Sequence, residues 1–348
     1  MIPESTKKAI KQKLYKTYLE LIPLPPSSEI QGFGKSLLEL VIAMFNEQNQ
    51  KEHLVSLGYY AEDIKTCIVR YRVKGTDIDV VFPNLLTYEF LSDLMVYANQ
   101  KCGITSVLLF SKYMRNIELA YGDADSAQFY NWLFHKSFIE PEYDGRQYYN
   151  LAAAGSVFLM FHELVHTDTE LKARYAEILF EPADIQELMK GQENELIEEA
   201  ICDFTSIAII ANYNLEKYFS CSKEEILKVS MLSLFLPSIY DLFLTFRKRF
   251  TCKDAEPKVK PIDILKSRFL LMSAIMKKAK LSGLFFEQYD IKAAMDFAGN
   301  TIEHFLWSLG ELLQSDLLSE IDSFNLLTDE EKEEYSLARP ERPWFLFA

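Results

Sequence analysis

The sequence predicts an α+β fold, predominantly α-helical, with a small sheet ahead of one central helix and a helical C-terminal half. Three observations lead to it. Cys67–Val73 and Asp77–Phe82 are rich in β-branched residues and flank a Lys74-Gly75-Thr76 turn, the pattern of a hairpin. Gly103–Phe110 and Ile117–Tyr121 are two further strand candidates. From Ala152 onward the chain turns to long apolar stretches at helical spacing.

Taken in order, Ser5–Leu21 repeats its apolar positions at helical period and stops at Pro23, Pro25 and Pro26. Gly34–Gln50 is a second helix, with Leu37, Leu38, Val41, Ile42 and Phe45 on one face. Asn84–Gln100 returns to helical period after the hairpin. Phe129–Phe138 fits either a helix or a strand, and Pro141, Asp144 and Gly145 make a loop. Ala152–Thr167 is the central helix, whose flank of three alanines and one glycine permits close packing. A new helix is expected from Asp184, which can cap it together with Glu187, and it continues through Glu195–Ala211. Glu224–Lys248, Pro261–Leu281 and Ile291–Leu313 are further long helices. An acidic run, Asp329–Glu334, and an apolar end, RPWFLFA, close the chain. No repeat or flexible linker divides it. The expected subdomains are 1–170, α+β and ending in the central helix, and 171–348, helical.

The 348 residues are 49% hydrophobic, ample for a core, and carry a net charge of −14. A nucleic-acid-binding surface needs a concentrated basic face, so that class of partner is not expected. The most apolar stretch, Val229–Phe246, is interrupted by Pro237 and Asp241, and no uncharged run is long enough to span a bilayer. The N-terminus has charges throughout and lacks the apolar core of a signal peptide. Five scattered cysteines, with no CxxC pair, read as free thiols in a reducing compartment. A cytoplasmic protein is expected.

The chemistry lies at the end of the central helix, in His162-Glu163-Leu164-Val165-His166. Residues four apart share a helix face, so His162 and His166 can offer both imidazoles to one metal ion. Glu163 sits about 100° round from His162, where a general base could reach a metal-activated water. This HExxH pattern predicts a zinc site, one ion per chain. Such a site needs a third protein ligand. The segment Thr167-Asp168-Thr169-Glu170 lacks the glycine and third histidine of a metzincin. Further on, Glu199 and Asp203 stand four apart on a helix that is apolar nearly all round. Carboxylates embedded there need a partner, and a cation together with a histidine N–H would supply it. The bland alternatives are solvated histidines at a helix end and a polar first turn.

HELVH followed by Glu-x-x-Cys-Asp resembles the gluzincin branch of the zincin metallopeptidases. The resemblance covers two short helices. It implies that Glu199 is the third ligand and that Asp203 hydrogen-bonds a ligand histidine. Where thermolysin-like enzymes have Asn before the ligand Glu, this chain has Glu198. The implied activity is a zinc-dependent peptidase, an endopeptidase acting on a peptide or protein. Glu163 would take the proton of the attacking water and pass it to the leaving amine. His304 and Arg268 are candidate oxyanion donors by position alone. Substrate would lie beside an edge strand, Gly103–Phe110 or Ile117–Tyr121. Two other classes stay open. One is a zincin-shaped binding or regulatory protein without catalysis. The other is a di-iron carboxylate protein, which Glu163-x-x-His166 permits but for which no second ExxH exists.

Overall fold

The computed structural model describes residues 5, 37, 39–46, 53–55, 68–72, 79–83, 85–98, 105–137, 146–180, 183, 186, 187, 190, 194–213, 215–251, 270–276, 291–311 and 317–337. Most of the expected helix Ser5–Leu21, the Lys74-Gly75-Thr76 turn, Asp184, Arg268 and the RPWFLFA end lie outside them.

The fold is all-α, which corrects the α+β, zincin-like expectation. Every described element from Leu85 onward is a helix. Three short extended segments, β1 (His53–Val55), β2 (Ile68–Arg72) and β3 (Asp79–Pro83), pair in the order β1-β3-β2. They precede the helical body in sequence, and among the described residues their principal contacts are with one another. Of the two strands expected at Gly103–Phe110 and Ile117–Tyr121, the residues from Ser106 onward are parts of one helix, while Gly103 and Ile104 lie outside the described residues. That helix runs Ser106–Tyr121, and no edge strand for a substrate exists there.

The reason is local and visible. Leu109, Phe110, Tyr113, Met114 and Ile117 are all buried and recur at spacings of three and four. Thr105 caps the start, its hydroxyl oxygen accepting from Leu108 N at 3.2 Å. Gly122 ends the helix in the left-handed region, φ 79°, which a glycine adopts without strain.

The helices are α1 (Leu85–Ala98), α2 (Ser106–Tyr121), α3 (Ala124–Ser137) and α4 (Arg146–Val165). They continue with α5 (Thr169–Phe180), α6 (Asn194–Asn212), α7 (Glu216–Phe219) and α8 (Lys223–Ser233). The last are α9 (Leu236–Thr251), α10 (Ile291–Glu311), α11 (Leu317–Asn325) and α12 (Asp329–Glu333). The ambiguous stretch Phe129–Phe138 belongs largely to helix α3. The expected single helix Glu224–Lys248 is two, α8 and α9, with Pro237 in the first turn of α9, where its missing N–H costs least.

Helix α4 is the centre of the body. Its principal neighbours are α1, α8 and α6, and Ala152, Ala153, Ala154, Val157, Phe158 and Phe161 are all fully buried. Gly155 explains how the helices approach so closely. A Cβ there would meet Leu91 Cδ2 at 2.6 Å, Val229 Cγ2 at 2.7 Å and Ser233 Oγ at 2.8 Å. Burial on all sides removes the freedom of α4 to rotate, and so aims its last turn.

Helices α2 and α3 form a hairpin, and α9 and α10 close over it through Phe90, Phe110, Phe243 and Phe305. Glu118 of α2, almost wholly buried, accepts from Arg247 Nε at 2.8 Å. Burial raises its carboxyl above the ordinary range although Arg247 opposes this. No helix among the described residues is long and apolar enough to cross a membrane.

Candidate metal centre

The site forms where the last turn of α4 meets α6, and the path between them is short. After His166 the chain turns through Thr167 and Asp168, whose backbone N–H groups donate to Leu164 O and Val165 O at 3.0 and 2.9 Å. Asp168 then caps α5, accepting from Leu171 N at 2.9 Å. Helix α5 packs on α6, and α6 packs on α4. Glu199 and Asp203, four apart on α6, thereby face the histidines.

The donors converge on one point. His162 Nε2 and His166 Nε2 are 3.2 Å apart. Glu199 presents Oε2 to His162 Nε2 at 3.2 Å and Oε1 to His166 Nε2 at 3.3 Å. One ligand atom from each of the three lies within 4.8 Å of the others. Ligand atoms around a tetrahedral zinc with bonds of about 2.0–2.1 Å stand about 3.3–3.4 Å apart. The 3.2 Å between the two Nε2 atoms lies close to that edge length, and Glu199 brings a different oxygen to each of them at 3.2 and 3.3 Å. Two imidazole nitrogens with lone pairs facing each other at this distance repel, unless a proton or a cation lies between them. The donor set therefore fits a metal ion.

The outer nitrogens are also engaged. His162 Nδ1 lies 2.8 Å from Asp203 Oδ1, with both side chains buried. The contact is short but bent, because the ring N–H does not line up well with the oxygen. Its length and the buried charge still favour the proton on Nδ1, which leaves the Nε2 lone pair for a metal. His166 Nδ1 faces Glu198 Oε1 at 3.4 Å, and the same oxygen accepts from Lys172 Nζ of α5 at 2.5 Å.

Electrostatics follow from these neighbours. Burial alone would lower the pKa of His162, but Asp203 and then Glu199 outweigh it and lift the group, with no cation bound, to about 10. The Lys172 ammonium holds the Glu198 carboxyl below the usual carboxylate range. Burial, reinforced by Asp203 and Glu199, pushes the Cys202 thiol far above its ordinary value, and the donor group that converges among the described residues is His162, His166 and Glu199 without it.

Solvent reaches the cluster from one side. The His162 side chain is 8% exposed, whereas His166 and Glu199 are 23% and 32% exposed. Glu163 is half-buried on α4, one position past His162. Beside Glu199 and Asp203 lies a shallow depression with apolar walls from Leu196, Ala200, Leu271 and Met272.

The two oxyanion candidates do not join this group. His304 is an exposed residue of α10 whose Nδ1 is 2.6 Å from the Tyr97 hydroxyl of α1. Arg268 is outside the described residues. Two participants escaped the sequence reading, Glu198 as a neighbour of His166 and Lys172 as the partner of Glu198. A signal existed. Lys172 falls six residues after His166, one turn into a helix that Asp168 was able to cap.

No family model matches this chain, and neither a curated protein nor a solved structure is significantly similar to it.

Proposed function

We propose that this chain is a zinc-dependent peptidase, with His162, His166 and Glu199 as ligands and Glu163 as general base. One observation carries the reading. Three residues of zinc-binding type meet where α6 packs on α4, with the two histidine Nε2 atoms 3.2 Å apart and a Glu199 oxygen 3.2–3.3 Å from each, and a glutamate stands between the two histidines. A purely structural site has no use for that glutamate. When bound, zinc would supply Lewis acidity towards a peptide carbonyl and an attacking water.

The remaining chemistry belongs to the chain. Glu163 accepts the proton of the attacking water and returns it to the leaving amine, which makes it acid and base in turn. Asp203 holds the His162 imidazole in one tautomer. The exposed flank of His166 and Glu199 is the side from which water and a peptide approach. The reading includes a cytoplasmic setting, supported by Cys202 and Cys221, both buried free thiols.

The test is Glu163→Gln. Zinc content per chain should be unchanged, while hydrolysis of a mixed fluorogenic peptide set should fall by about 10²–10⁴-fold, the usual contribution of a positioned base. Undiminished hydrolysis by this variant refutes the mechanism. A wild-type chain with no measurable zinc affinity refutes the site.

A further inference from the structure

We infer that the Lys172–Glu198 ion pair is a positioning device for His166, and that it sets the affinity of the metal centre from its exposed side. The inference rests on the metal-site reading above and deepens it. The two histidines are supported differently. His162 is backed by Asp203, a carboxylate inside the protein that belongs to the same helix as Glu199. Behind His166, among the described residues, stands Glu198, whose side chain is 48% exposed. An exposed glutamate samples many rotamers and makes a poor support by itself.

Lys172 answers that. It reaches from α5 to the Glu198 oxygen that faces His166 Nδ1, and its own side chain is only 18% exposed. The ion pair thus joins α5 to α6 directly behind the imidazole. Glu198 is not a fourth ligand, because it meets Nδ1, the nitrogen turned away from Glu199 and His162. Its place immediately before Glu199 rotates it about 100° from the ligand on the same helix. A charged acceptor at Nδ1 makes Nε2 a stronger donor to a metal. The lysine shares the oxygen and so moderates that effect while fixing its direction.

The experiment uses Co²⁺ titrated into the metal-free full-length chain, reading the visible absorption bands and the affinity by chelator competition. Neither signal depends on peptidase activity. Glu198→Ala should weaken Co²⁺ binding by about 10–100-fold, the usual effect of removing a partner behind a ligand histidine, and should shift the bands. Glu198→Gln keeps an acceptor oxygen and should restore the band positions with only part of the affinity. Lys172→Met should weaken binding less, Lys172→Arg should stay close to wild type, and Lys172→Met with Glu198→Ala should be no worse than Glu198→Ala alone. Asp203→Ala serves as the reference for loss of an imidazole support. The inference is overturned if Asp203→Ala loses affinity while folded Glu198→Ala keeps the wild-type affinity and spectrum, or if the Lys172 and Glu198 effects simply add. A wild-type chain that binds no Co²⁺ overturns the metal-site reading, and this inference with it.

Discussion

Asp203→Asn separates the charge behind His162 from its size. The carboxylate oxygen lies 2.8 Å from Nδ1 in a buried setting, so the substitution keeps the volume and an acceptor and removes one negative charge. Losing such a partner costs about 10–100-fold in metal affinity, or about 1.4–2.7 kcal/mol. The same charge is the leading influence that raises His162 against burial, so with no metal its pKa should fall from about 10.

The sign of the linkage follows. A raised folded-state pKa means that the protonated imidazole stabilises the metal-free fold. That contribution is fully present below about pH 6.5 and is lost as the pH rises through about 10. Metal-free wild type should therefore lose stability across that window, and Asp203→Asn should lose less of it. Metal and proton also compete for Nε2, so zinc binding near neutral pH should release a proton from wild-type His162 and a smaller fraction from the variant. Calorimetry in two buffers of different ionisation enthalpy counts the protons, and an NMR titration of the imidazole reads the pKa. An Asp203→Asn protein with wild-type zinc affinity and an unchanged His162 titration would refute the reasoning.

Two further outcomes concern the frame around the site. Gly155→Ala gains about 1 kcal/mol of helix propensity but forces a methyl to within 2.6–2.8 Å of atoms on α1 and α8, and overpacking costs about 1–3 kcal/mol. The expected net change is a lower melting temperature by a few degrees, and a variant that melts above wild type would show that α4 has room there. Arg247→Met leaves Glu118 buried without its guanidinium, a loss of about 3–5 kcal/mol for a broken buried pair. Because burial already raises the Glu118 carboxyl and loss of Arg247 raises it further, the cost should be largest at pH 7 and smaller at pH 4, where more of the carboxylate is protonated. Urea denaturation at both pH values checks this, and equal losses would contradict it.

The error in fold class has a particular cause. Gly103–Phe110 and Ile117–Tyr121 look like strands when each short window is judged by its β-branched and aromatic content. Over the longer window the buried set Leu109, Phe110, Tyr113, Met114 and Ile117 has helical period, and Thr105 and Gly122 bracket it. The helix was therefore legible, but only at the length of the element and not of its fragments. The same limit joined α8 to α9, since an unbroken apolar stretch does not reveal where a chain bends.

What the sequence determined by itself was local. Helical period puts His162 and His166 on one face of α4, puts Glu163 beside them, and puts Glu199 and Asp203 on one face of α6, whatever the rest of the chain does. Only the tertiary structure decided that these two faces meet. Nothing in residues 162–166 or 198–203 specifies the packing of α6 on α4. That packing comes from side chains elsewhere, on the apolar faces of α5 and α6. The same packing brought Lys172 and Glu198 behind His166, and a contact between charges 26 residues apart has no periodicity from which to read it.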